Sequence, residues 1–257
     1  MQLILTGATG TAGSEVLRQA LLDARITGIT VLTRRPLPPH VAPSSPSQKL
    51  RIIEHADFAS YPPSLLSQLK GHDACIWALG RSSVGMKEDE YDKITVSYAL
   101  EAAEAFSGLE RETKEGREKF VFAFVSGMGA DQQEGKASQM FGRLKGKAER
   151  LLAQLPAEGY PSLAPFSFRP GGILPIAPVS EAPWFYRPPL LSIMRALGLI
   201  WPAGVIKTDE LAKGLIEACL QGGKGKIEGW PGKGEVGNDG VFGNVEIKRL
   251  ASAQKAH

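Results

Sequence analysis

Leu3-Ile4-Leu5-Thr6-Gly7-Ala8-Thr9-Gly10-Thr11-Ala12-Gly13 reads as a strand, a glycine turn and the start of a helix. Ser14 to Leu22 follows, with Val16, Leu17, Ala20 and Leu21 at helical spacing. A tight turn after a parallel strand needs a residue without a Cβ. Backbone that must approach a pyrophosphate, and a helix that must pack close to its strand, need two more. The free N–H groups and the positive dipole end of the helix would then face an anion. Gly7, Thr9, Gly10, Thr11, Ala12 and Gly13 are therefore expected to hold a dinucleotide. The competing explanation is a turn that needs glycine for its own sake.

Outward from this stretch, short apolar runs alternate with helical patterns. Strands are predicted at 2–5, 29–32, 50–54, 74–78, 120–125 and 166–168. Helices are predicted at 13–23, 63–68, 89–106, 139–155 and 209–221. Continuous apolar strands suit a sheet covered on both faces, and the alternation predicts an α/β fold with a doubly wound parallel sheet of the Rossmann type. Residues 35–48 are rich in Pro and Ser, so that crossover is expected to be irregular. After about residue 172 the rhythm weakens. A single domain over residues 1–257 is expected, with 175–207 as a small C-terminal cap on the substrate side.

Composition narrows the classes. The 257 residues are 43% hydrophobic and 22% charged, with net charge +3. These values suit a globular protein, and no basic face studded with aromatics suggests nucleic-acid binding. Cys75 and Cys219 lie far apart and His40, His55, His72 and His257 are scattered, so no metal site is expected. Met1-Gln2 leads straight into the first strand, which leaves no room for a leader. The apolar stretch 190–201 is interrupted by Arg195 and Gly198 and is too short for a membrane span. A cytoplasmic protein acting on a small molecule, able to form a homodimer, is the expectation.

The identity of the dinucleotide is read at the end of the second strand. Thr33 lies 20 residues beyond Gly13, where an NAD site places an acidic residue against the ribose hydroxyls. Here stand Thr33, Arg34 and Arg35. A planar guanidinium pairs with a 2′-phosphate that a carboxylate would repel. NADP(H) is therefore expected. Asp57 and Phe58, after the third strand, could meet the adenine, or serve as a turn residue and a core ring. Ala78-Leu79-Gly80, after the fourth strand, would pass beneath the cofactor, and Ser82 and Ser83 could reach it or cap a turn.

With these residues in view, the chain resembles the atypical short-chain dehydrogenase/reductases, in particular the Tat-interacting-protein-like branch and its fungal relatives. The matching pieces are residues 6–13, 32–35, 77–80, 124–131, 141–145 and 168–171, in family order. The resemblance implies NADPH binding. It also implies a Tyr four residues before a Lys, the Tyr carrying the proton and the Lys holding the nicotinamide ribose. Lys145 occupies the Lys position, but Phe141 stands where the Tyr would be and has no exchangeable proton. Ser126 lies near the position of the substrate-holding hydroxyl, and the next residue is Gly127. Pro170 and Gly171, after Arg169, would lie beside the nicotinamide or simply shape a turn.

Another residue could supply the proton. Tyr91 and Tyr98 lie on the long helix after the fourth strand, where packing is the expected role of Tyr98. Asp131 could act as a base or cap a turn. Tyr160 and Tyr186 lie outside clear motifs, and Tyr186 could reach down from the cap. Phe141 and Tyr186 are expected to line a substrate pocket, and the apolar cap residues suit a hydrophobic substrate, a core or a subunit contact. The leading expectation is an NADP(H)-dependent reductase of a small hydrophobic carbonyl or enone. In that reading Lys145 and Ser126 are the active polar groups. The alternatives are a non-catalytic NADP(H)-binding regulator and a non-redox isomerase or dehydratase.

Overall fold

The computed structural model describes residues 1–43, 47–112, 118–133, 139–176, 192–193, 196, 198, 200–201, 203–225, 227 and 240–253. β1 (Gln2–Thr6) is an inner strand of the sheet. It pairs in parallel with β2 (Gly28–Thr33) on one side and β4 (Ala74–Trp77) on the other. β3 (Leu50–Glu54) extends the sheet beyond β2. β5 (Phe120–Val125), β6 (Leu163–Arg169) and β9 (Val241–Gly243) extend it beyond β4. The order β3-β2-β1-β4-β5-β6-β9 reverses between β1 and β4. In an open α/β sheet that reversal opens a crevice at the carboxyl ends of the strands.

Both faces are buried, because alternate side chains of a strand point to opposite sides. Leu3, Leu5, Ala74, Ile76, Val121 and Ala123 face α1 (Thr11–Leu22), α6 (Thr208–Gln221) and α7 (Asn244–Ala253). Ile4, Cys75, Trp77, Phe120, Phe122 and Phe124 face α2 (Pro63–Gln68), α4 (Tyr98–Ser107) and α5 (Met140–Gln154). This is the expected doubly wound sheet.

The structure departs from expectation in several places, one of them α7 (Asn244–Ala253), a helix that was not expected. The helix predicted over 89–106 is α3 (Glu88–Asp92), a π turn at Lys93–Ser97 and then α4. A wider turn preserves the apolar spacing on either side, so the residue pattern does not announce it. β6 starts at Leu163 rather than 166 and runs through Pro165. β9 pairs only with Ser167–Arg169, so on that side Pro165 faces no strand and its missing N–H costs no ladder bond. β9 itself was not expected. Its Phe242 stacks on Phe168 at 4.9 Å and 15°, a contact made only in three dimensions. Finally, β7 (Gly172–Leu174) pairs in parallel with β8 (Val205–Lys207) and ties together the ends of residues 175–204.

Described residues 34–43 and 47–49, between β2 and β3, hold no helix, as their composition predicts. Cap residues Trp184, Phe185, Tyr186, Leu190, Leu191, Met194 and Leu197 lie outside the described residues. Among the described residues no helix is long and apolar enough to cross a membrane.

His72 shows how the core handles a titratable ring. Its Nδ1 is 2.8 Å from the Leu69 carbonyl and its Nε2 is 2.9 Å from Thr30 Oγ1. Burial holds its pKa below the ordinary 6.5. The unfolded chain therefore binds a proton near pH 6 that the folded chain refuses, and stability falls as pH drops through that range. Thermal melts between pH 7.5 and 5 should show this loss, and His72→Gln should flatten the slope.

Candidate functional site

A groove of about 120 Å³ opens at the sheet reversal, lined by Gly7, Ala8, Thr9, Gly10, Leu32, Thr33, Arg34, Phe58, Ala78, Leu79 and Gly80. Four separate segments of the chain, each singled out in the sequence, thus meet there. Gly10 precedes α1 with extended backbone, and no side chain caps the helix. The first-turn N–H groups of Thr11, Ala12 and Gly13 have no intrahelical acceptor and remain available to an anion. Thr33 lends its hydroxyl to the Arg35 carbonyl at 2.8 Å, which shapes the turn bearing both arginines. Arg34 and Arg35 are exposed, and only Arg34 lines the groove. Asp57 is exposed, and its Oδ1 accepts the Ala59 N–H at 3.1 Å. Phe58 is buried and packs edge-on against Trp77.

The glycines divide into two kinds. At Gly7 the backbone has φ +70°, and an added Cβ would lie 2.3 Å from the Ala78 carbonyl oxygen. A Cβ on Gly13 would lie 2.1 Å from the Gly7 carbonyl oxygen. Internal packing accounts for both. Gly10 and Gly80 differ. A Cβ at Gly10 would meet only Gly7 oxygen, at 3.4 Å, and one at Gly80 would meet nothing within 4 Å. Both line the groove and neither has positive φ. Their missing side chains keep open space rather than fill packed space, which is what close approach of a ligand requires.

The second half of the site lies at the end of β5. Lys145, on α5, is buried, and its Nζ donates to the Val125 carbonyl at 2.9 Å. The ammonium also sits 4.6 Å from the centre of the Phe124 ring. Burial lowers its pKa to about 8, opposed by the Glu149 carboxylate one helical turn on. Lys147 points instead to the surface side and pairs with Asp92 at 2.7 Å. Ser126 Oγ is buried and meets no hydrogen-bond partner among the described residues. An orphaned buried hydroxyl suits a ligand oxygen or a bound water. The Phe141 ring tip rests on Gly127, where an added Cβ would lie 2.5 Å from Cζ. Neither position therefore offers a hydroxyl, and the two sequence features are one packing unit.

Several candidates have work elsewhere. The Pro170 carbonyl accepts the Met128 N–H at 2.8 Å. Gly171 donates its N–H to Asn244 Oδ1 at 2.9 Å, and a Cβ there would lie 2.2 Å from the Gly204 carbonyl oxygen. Asp131 Oδ1 accepts the Gln133 N–H, and Ser82 Oγ accepts the Val84 N–H. Tyr160 donates its phenol to Glu104, away from β5. Tyr98 packs its ring near Phe58, and Tyr91 is buried. Tyr186 lies outside the described residues.

Sequence reasoning missed Glu149 and Asn244. Glu149 accepts hydrogen bonds from Arg169 and Gln132. Asn244 joins Gly171 to the Ala203 carbonyl. The carboxylate sits four residues after Lys145, a spacing that puts both on one helix face and could have drawn notice. A cavity of about 460 Å³ was also missed. It lies between α1 and residues 40–43 and shares Thr9 and Gly10 with the groove.

The sequence matches no family model. It is 32% identical over 155 residues to leucinostatins biosynthesis cluster protein T of Purpureocillium lilacinum, covering 60% of this chain and 52% of that one. It is 33% identical over 151 residues to the mitochondrial protein FMP52 of Candida albicans, covering 58% of each. The matches thus span little more than half of these curated relatives. Among solved structures, the chain is similar to the PhqB reductase domain from Penicillium fellutanum. There the TM-score is 0.61 at 18% identity, over 85% of this chain and 64% of that one. It is also similar to the Bordetella bronchiseptica enzyme WbmF in complex with NAD+, with TM-score 0.62 at 14% identity over 98% and 76%. These likenesses show that the parallel sheet with flanking helices is a Rossmann-like α/β fold.

Two measurements check the geometry. Gly7→Ala should cost about 2–5 kcal/mol, from strain at positive φ and the forced contact with Ala78. Gly10→Ala should leave the melting temperature nearly unchanged. Carbon-13 NMR of labelled lysines, assigned with Lys145→Arg, should show one lysine titrating near pH 8. The unfolded chain keeps that proton up to about 10.5. Raising the pH from 8 to 10 should therefore favour the folded state through this group.

Proposed function

We propose that this chain is an NADP(H)-binding, oxidoreductase-like protein of the Tat-interacting-protein-like branch of the atypical short-chain dehydrogenase/reductases. The observation that carries this reading is the groove in which Gly10 and Gly80 keep space open beside the uncapped start of α1. Residues 7–13 would hold the pyrophosphate through N–H groups and the helix dipole. Arg34 would pair with the 2′-phosphate, and among the described residues no carboxylate lines the groove to repel it. Lys145 would anchor the nicotinamide ribose. The solved structure of WbmF with NAD+ supports a nicotinamide dinucleotide on this fold. The PhqB reductase domain supports an oxidoreductase-like role.

The dihydronicotinamide, when bound, supplies hydride to a substrate carbon. The chain's part is to bind, orient and exclude water. Ser126 Oγ offers the substrate oxygen a buried hydrogen-bonding group. Val84, Met128, Ile176, Ile193, Ile200 and Trp201 are large apolar side chains left exposed on segments after β4, β5 and β7. They support a small hydrophobic or aromatic carbonyl or enone as substrate, taken between the sheet edge and residues 175–207 acting as a cap. Proton delivery then falls to water or to a group other than residue 141. Loss of a positioned acid costs about 10²–10⁴ in rate, so turnover should be slow.

A second reading is a non-catalytic NADP(H)-binding regulator. The Phe141–Gly127 contact favours it, because hydrocarbon fills the place where two hydroxyls would act.

Calorimetric titration should show NADPH binding at least tenfold tighter than NADH, with Arg34→Glu reversing the preference. Gly10→Ala should weaken NADPH at least tenfold while leaving the fold intact. Equal or absent binding of both dinucleotides overturns the cofactor reading. Incubation of the NADPH complex with quinones, enones and aldehydes should show slow oxidation, accelerated by Phe141→Tyr. No oxidation in either protein favours the regulator.

A further inference from the structure

We infer that Glu149 is a positioning residue, a buried carboxylate that locks the loop after β5 and the turn after β6 onto the helix carrying Lys145. The reading rests on the proposed role of Lys145 in holding the cofactor. Three observations converge on it.

First, the Glu149 side chain is wholly buried. A buried carboxylate must be paired and hydrogen-bonded to be tolerated, and here both conditions are met. Arg169 Nε donates to Oε1 at 2.9 Å and to Oε2 at 3.1 Å, and its Nη2 also donates to Oε2. Gln132 Nε2 donates to Oε2 at 3.0 Å. One carboxylate therefore binds α5, the end of β6 and the loop after β5.

Second, that loop is fitted to α5 by backbone contact as well. The Asp131 N–H donates to the Gly142 carbonyl at 3.0 Å, and a Cβ on Gly146 would lie 1.7 Å from the Asp131 carbonyl oxygen. Helix and loop thus approach as closely as glycine permits, on the same face as Glu149. Ser126 and Gly127 lie at the start of this loop. Just beyond them the Met128 N–H is held by the Pro170 carbonyl, and further along Gln132 is held by Glu149. Pro170 in turn follows Arg169, the other arm of the clamp.

Third, the clamp reaches Lys145 electrostatically. The groups around the ammonium are the Val125 carbonyl and Phe124 ring from β5, and Glu149 from its own helix. Arg169 stands behind Glu149 from β6. The carboxylate favours the charged lysine, and the guanidinium moderates that field.

This arrangement makes a prediction in opposite directions. Glu149→Gln keeps the shape and removes the negative charge, so the Lys145 titration midpoint should fall below about 8. Arg169→Gln exposes Lys145 to an unneutralised carboxylate, so the midpoint should rise. Both variants should bind NADPH at least tenfold more weakly than wild type. The readouts are carbon-13 NMR of labelled lysine in the full chain and calorimetry with NADPH. Glu149→Asp, which keeps the charge, should restore the midpoint at least in part.

Unchanged midpoint and unchanged NADPH affinity in a folded Glu149→Gln protein overturn the proposal. If wild type binds no NADPH, the cofactor reading fails by itself, and opposite midpoint shifts still sustain the clamp. If Glu149→Gln does not fold, Arg169→Gln and Gln132→Ala decide. No midpoint rise in the first and no loss of NADPH affinity in either overturns the clamp.

Discussion

The site depends on the close approach of the glycine turn to the end of β4. Gly7 adopts φ +70° with its Cα against the Ala78–Leu79 peptide, and Gly13 brings α1 down onto the Gly7 carbonyl. No side chain can stand at either place. That contact sets where α1 begins, and it aims the uncapped N–H groups of its first turn along the sheet reversal. It also brings Ala78, Leu79 and Gly80 alongside the turn, so that the groove forms between segments more than sixty residues apart in the chain. Two of the glycines, Gly7 and Gly13, therefore serve the protein's own packing.

Beyond the turn, the site divides into an end suited to anions and an end built from hydrocarbon. At the first, helix dipole and Arg34 add their fields in a shallow, water-accessible groove, where charge attracts without a large desolvation cost. At the second, Lys145 is buried among β5 backbone and the Phe124 ring, and its charge is held at a cost that lowers its pKa to about 8. Glu149 offsets part of that cost, and is itself kept in place by Arg169 and Gln132. Phe141 and Gly127 close the remaining space by shape alone. Among the described residues this end offers the buried Lys145 ammonium, the orphaned Ser126 hydroxyl and an aromatic wall.

Much of this was legible in the chain. Leu3-Ile4-Leu5 before Gly7, Gly10 and Gly13 was enough for the strand, turn and helix, because each step has a local steric or periodic cause. Pro and Ser between residues 35 and 48 pointed to an irregular crossover, and its described residues hold no helix. Other elements left no local trace. β9 is three residues long and owes its place to Phe242 stacking on Phe168. The π turn at Lys93–Ser97 leaves the apolar pattern around it intact. β6 begins at Leu163, three residues before the strand predicted at 166–168, and tolerates Pro165 because its neighbour on that side begins only beyond it.

The chain alone determined the class of fold, the anion-suited turn, the two arginines after β2, and the absence of a hydroxyl at residues 127 and 141, since each is a property of residues adjacent in sequence. Tertiary structure decided which glycines answer to packing and which to open space. It also decided that Lys145 is buried while Lys147 is paired at the surface, and that Glu149 gathers Arg169 and Gln132. The reason is physical: burial, desolvation and charge pairing depend on which distant segments meet, and residue order carries no direct measure of that distance.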